Sequence, residues 1–157
     1  MLKIIGLGNH LRGDDAIGLH IVEKLRDFSF DAELQLIEAG ADAFSLLEHL
    51  MADDPLLIID CALLGKEPGS YVKFELSAAQ LQKELQGISL HGFSLAEVLA
   101  MAKKMGKVAP CTVIGVQPKS IGFNRPLSEE VMETIPLIID DIKKEAIKYA
   151  HSENINH

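Results

Sequence analysis

Leu2–Leu7, Leu56–Ile59 and Val108–Val116 are short stretches whose apolar residues fall on both faces of an extended chain, so each predicts a strand covered on both sides. Amphipathic stretches separate them. After the first run, Ile17, Ile21, Val22 and Leu25 recur at helical spacing, and Ser94–Met105 opens with Ser94 and Glu97 at capping-box spacing. Strands of this kind alternating with helices predict an α/β fold: a mainly parallel sheet with helices on each face. Glu33–Ile37 reads as a second strand, followed by a helix from about Asp42 to Met51. The turn signal Lys66-Glu67-Pro68-Gly69 leads straight into Ser70–Glu75, which predicts one antiparallel strand at the sheet edge. Ser77–Leu85 reads as a short helix, Gln86–Phe93 as a loop and Ser128–His151 as the last helix, shortened or kinked near Pro136. Residues 1–150 thus read as a single domain, and 151–157 as a frayed polar tail.

Composition narrows the class of partner. With 157 residues, 48% of them hydrophobic, the chain can bury one core, and with aromatics at 5% that core is aliphatic. A formal charge of −8, from 23 acidic and 15 basic residues, argues against nucleic acid. No apolar stretch is long enough to cross a bilayer and no secretory leader is recognisable, which predicts a cytoplasmic protein without a membrane partner. Cys61 and Cys111 lie in apolar surroundings and read as small buried side chains.

The candidate chemistry lies at strand ends. Gly6-Leu7-Gly8-Asn9-His10-Leu11-Arg12-Gly13-Asp14-Asp15 forms a glycine-rich turn between the first strand and its helix. A dinucleotide fingerprint would need glycine where Leu11 stands, and Asp14-Asp15 would repel a pyrophosphate. Capping of the helix accounts for one of the two acids. The other is a hard oxygen ligand in search of partners. Asp60, at the end of the third apolar run, and His91, in the loop before a capped helix, supply them if the strands are neighbours. Asp15, Asp60 and His91 make an O,O,N set suited to nickel, zinc, manganese or iron, and ligand type alone does not choose among these. A Cys61 nucleophile with His91 as its base is the competing arrangement; the apolar neighbours Ala62-Leu63-Leu64 speak for a buried, inert thiol instead. No G-x-S-x-G elbow is present.

Gly6-x-Gly8-Asn9 with Gly13-Asp14-Asp15-Ala16-Ile17-Gly18 resembles the N-terminal motif of the hydrogenase maturation endopeptidases. Leu57-Ile58-Ile59-Asp60, Ile88-Ser89-x-His91 and Ile114-Gly115-Val116-x-Pro118 resemble later segments of the same family. The resemblance implies a three-layer α/β/α fold with a twisted, mainly parallel five-stranded sheet. It implies a monomeric peptidase that removes the C-terminal extension of a nickel–iron hydrogenase large-subunit precursor. It also implies that Asp15, Asp60 and His91 contact nickel supplied by that precursor, with Asp14 left as the helix cap. Gly8, Asn9, Asp14 and Gly40 are the candidate substrate contacts. Relatives often carry Glu in place of Asp15, and Asp-x-Gly-Thr where this chain has Glu38-Ala39-Gly40-Ala41. The alternatives are a non-cleaving, metal-dependent chaperone or binding protein for the same precursor, and a nucleotide-binding α/β domain.

Overall fold

The computed structural model describes residues 1–40, 43–76, 89–90 and 95–156. Strand β1 (Leu2–Gly6) leads through a 3₁₀ turn (Gly13–Ala16) into α1 (Ile17–Leu25). Then come β2 (Leu34–Glu38), α2 (Leu47–Leu50), β3 (Leu56–Leu63), β4 (Tyr71–Leu76) and the two-residue β5 (Ser89–Leu90). The chain ends with α3 (Leu95–Lys104), β6 (Cys111–Val116) and the long α4 (Glu129–Ile155).

The main sheet has the order β2-β1-β3-β6-β4. The first four strands run parallel, and β4 closes the edge antiparallel to β6, with Tyr71 opposite Val116 and Leu76 opposite Cys111. Successive residues of a strand face opposite sides, which divides the apolar runs between two cores. Ile5, Ile58 and Val113 pack with Leu50, Leu95, Val98 and Leu99 on one face. Their neighbours Ile4, Leu57 and Ile114 pack with Ile21, Leu25, Ile135 and Ile138 on the other. Helices α2 and α3 therefore cover one side and α1 and α4 the other, the mainly parallel sheet with an antiparallel edge that the sequence predicts.

Several boundaries differ from the sequence reading, each for a local reason. The strand expected from Val108 starts at Cys111 because Pro110 has no N–H for the ladder; its carbonyl still accepts from the Leu56 N–H at 2.8 Å. The strand ending in Asp60 runs on to Leu63, since β5 pairs antiparallel with Ala62 and Leu63. The last helix passes through Pro136. That ring sits on the exposed face, and the Met132 carbonyl it leaves without a donor belongs to a half-exposed residue open to water. Nor does the helix fray at His151: it continues to Ile155, with the Tyr149 hydroxyl donating to Glu153 at 2.6 Å and the Ser152 hydroxyl to the Lys148 carbonyl at 3.0 Å. The expected helix start at Asp42, the helix over residues 77–85, the Ser94 cap and most of the loop over residues 86–93 lie outside the described residues. So does His157. No described helix is long and apolar enough to cross a membrane.

Candidate active site at the carboxyl edge of the sheet

Close backbone contact builds the site. A Cβ on Gly6 would lie 2.2 Å from the Gly18 carbonyl oxygen, and one on Gly18 would lie 2.4 Å from that of Ile59. The first turn of α1 therefore rests directly on the backbones of β1 and β3. Gly8 has φ +139°, and a Cβ there would meet the Asp15 carbonyl oxygen at 1.9 Å. The chain can fold back on the 3₁₀ turn only because that position has no side chain. The Gly8 N–H donates to the Gly40 carbonyl at 2.8 Å, tying the turn to the segment after β2.

Two carboxylates meet in this frame. Asp15 is 4% exposed, and one of its oxygens accepts from the Asn9 N–H at 3.1 Å. Asp60 is 2% exposed and accepts from the Cys61 N–H at 2.8 Å. Strand β1 stops at Gly6, which pairs with Ile59, so Asp60 emerges just beyond the end of its neighbour. Burial holds the Asp60 carboxyl well above the usual aspartate range; the charge of Asp15 pushes it the same way, and the Cys61 N–H opposes them only in part. A buried acid whose charge is opposed by burial and by a second buried acid is one whose charged form a divalent cation would favour. His91 lies outside the described residues. Leu90 is described and pairs with Ala62.

Asp14 has another use. Its Oδ2 accepts from the Lys119 N–H (2.8 Å), the Ser120 N–H (3.1 Å) and the Ser128 hydroxyl (2.8 Å), and its Oδ1 from the Ser128 N–H (2.7 Å). Both oxygens are therefore committed to the 119–128 segment, and no side chain caps the start of the 3₁₀ turn or of α1. This corrects the expectation of a cap. Asp14 is itself 1% exposed. Ser128 meanwhile caps α4, its hydroxyl accepting from the Val131 N–H.

The remaining candidates surround the acids. The side-chain oxygen of Asn9 accepts from the Leu11 N–H at 2.9 Å and so shapes the turn. Gly40 has φ +69° and open space where a Cβ would stand. Exposed His10 lies 3.8 Å from Glu38 and meets His20 edge to face; Glu38 is in turn held by Arg26 at 3.2 Å. Cys61 is fully buried, and its thiol is pushed strongly upward by burial and then by Asp60, Asp15 and Asp14, against a smaller opposing pull from Arg12. Burial likewise pushes the Cys111 thiol up to about 12. Neither sulfur is a nucleophile near neutral pH.

The family model for hydrogenase maturation proteases (HycI) matches residues 19–145. The chain belongs to this family. It is a peptidase by that membership, and the buried acid pair lies at the carboxyl edge of a maturation-protease fold. A putative hydrogenase maturation protease of Methanocaldococcus jannaschii is 34% identical, with 90% of each chain aligned. The hydrogenase expression/formation protein HupD of Thiocapsa roseopersicina is 29% identical over 88% of this chain, which spans 64% of that longer relative. Among solved structures, the nickel–iron hydrogenase maturation protease HycI of Thermococcus kodakarensis superposes with a TM-score of 0.73 at 26% identity, covering 94% of this chain and 92% of that one. The endopeptidase HybD of Escherichia coli shares the fold, with a TM-score of 0.75 at 23% identity over 94% and 93% of the two chains. The segment that the sequence reading of this maturation protease missed is the one holding Asp14, because no spacing marks Asp14 and Ser128 as partners.

Proposed function

We propose that this maturation protease removes the C-terminal extension of a hydrogenase large-subunit precursor, and that Asp15, Asp60 and His91 bind nickel already carried by that precursor. The observation that carries this reading is the Asp15–Asp60 pair: two nearly inaccessible acids at the sheet's carboxyl edge, where burial and the charge of Asp15 hold the Asp60 carboxyl up. Such a pair gains most from a cation brought to it. Nickel would then register that metal insertion is complete and would set the scissile peptide against the acids, where bound metal can polarise a carbonyl. The resting protein needs no metal of its own in this scheme.

Incubation of the precursor with and without nickel, read by mass spectrometry, tests the proposal. The nickel-loaded form should lose a C-terminal peptide and the nickel-free form should stay intact. Asp15→Asn, Asp60→Asn and His91→Ala should each lower the rate by about 100-fold or more, since loss of even an outer-shell partner of a metal site costs about 10–100-fold. Equal trimming of both precursor forms, or full activity in His91→Ala, would overturn the nickel assignment. A stable complex with no peptide released would replace the protease reading with that of a binding protein.

A further inference from the structure

Two arginines stand beside the acidic site with no carboxylate among the described residues holding them. Arg12 immediately precedes the 3₁₀ turn that carries Asp15, and a parallel β-bridge joins it to Arg125. The Asn124 N–H, donating to the Leu11 carbonyl at 2.7 Å, extends that junction. Arg125 belongs to the segment that Asp14 anchors, so the junction is fixed to the same frame as Asp15. Among the described residues, neither guanidinium makes a hydrogen bond or ion pair, whereas Arg26, Lys73 and Lys119 each have a carboxylate partner. A chain with a formal charge of −8 does not lack acids to pair with them.

The bridge brings two like charges to one point of the backbone, where a bound anion would lessen their repulsion. Leu11 and Phe123, 53% and 67% exposed, flank the two arginines. Forked guanidiniums beside exposed apolar side chains suit a polypeptide carrying a carboxylate: the fork takes both oxygens, and the apolar groups take neighbouring side chains. The overall negative charge disfavours a polyanion such as nucleic acid.

We infer that Arg12, supported by Arg125, binds a carboxylate on the C-terminal extension of the polypeptide substrate and so registers the scissile bond against Asp15 and Asp60. This assignment rests on the protease reading above. The carboxylate is either the terminal one of the extension or an Asp or Glu side chain within it, and the experiment separates the two sources.

Synthetic peptides of the extension, with free or amidated C-terminus and with each acid replaced by Lys, are titrated calorimetrically against wild type, Arg12→Gln, Arg12→Lys and Arg12→Glu. The same variants are assayed on nickel-loaded precursor. Arg12→Glu should weaken peptide binding about tenfold or more and raise KM more than it lowers kcat; Arg12→Lys should recover only part of the loss, since it keeps charge without the fork. Amidation should match that loss in wild type if the terminal carboxylate is read. If a side chain is read, one acid-to-Lys peptide should match it instead and regain affinity with Arg12→Glu. Unchanged peptide affinity and KM in Arg12→Gln and Arg12→Glu, at an unchanged melting temperature, would overturn the inference. Failure of wild type to trim the loaded precursor would sink the protease reading alone, leaving peptide binding to decide the role of Arg12.

Discussion

Asp14 and Asp15 are chemically identical neighbours, and the fold puts them to different ends. Asp14 accepts four hydrogen bonds from a distant segment, while the charge of Asp15 bears on a second acid, Asp60. That Asp15 and Asp60 lie toward one sheet edge is legible, because Asp60 closes an apolar run and Asp15 stands in the turn that follows another. Asp14's partners were not legible, since Lys119, Ser120 and Ser128 stand more than a hundred residues away in the chain. The Asp60 carboxyl carries a prediction of its own. Its folded-state pKa lies above the unfolded value of about 3.9. The stability linked to this group is therefore complete below the unfolded pKa and falls away as pH rises through the folded one. Asp60→Asn should raise the melting temperature of the metal-free protein at neutral and higher pH, and the gain should vanish in acid below the ordinary aspartate range. Thermal melts across pH check it; a lower melting temperature at neutral pH would contradict it.

At the scale of elements, the periodic segments were readable and their ends less so. Buried strands advertise themselves through apolar residues on both faces, and the tight turn before Ser70–Glu75 marks an antiparallel edge strand, which the fold places at Tyr71–Leu76. The extension of β3 to Leu63 was hidden because it depends on pairing with Ser89 and Leu90, a contact no local pattern encodes. The contact between α1 and the two strands beneath it gives a second prediction. Gly18→Ala would place a methyl group 2.4 Å from the Ile59 carbonyl oxygen and 2.5 Å from that of Leu7. Backbone must move to admit it, at a cost of about 1–3 kcal/mol or more. Urea denaturation should show that loss, with a larger fall in activity than stability alone explains, because the helix and the acid-bearing turn shift together.

For the whole molecule, two apolar clusters lie on opposite faces of one sheet, and adjacent residues of a strand supply both. Neither face can open without disturbing the strands that serve the other. Leu99→Ala and Ile138→Ala, one on each face and both fully buried, should each cost about 2–5 kcal/mol. Both should shift one and the same unfolding transition, with effects that add in the double variant. Two separate transitions by circular dichroism would show that the layers unfold independently.

The tether between Asp14 and the 119–128 segment also bears on how the protein is made. Asp15 sits next to a residue whose carboxylate finds its partners only in the last third of the chain. While a ribosome is still extending the polypeptide, the emerging amino-terminal half cannot yet hold its acids in place. The turn that carries Asp14 and Asp15 is therefore tied down late in synthesis, once residues near Ser128 have emerged.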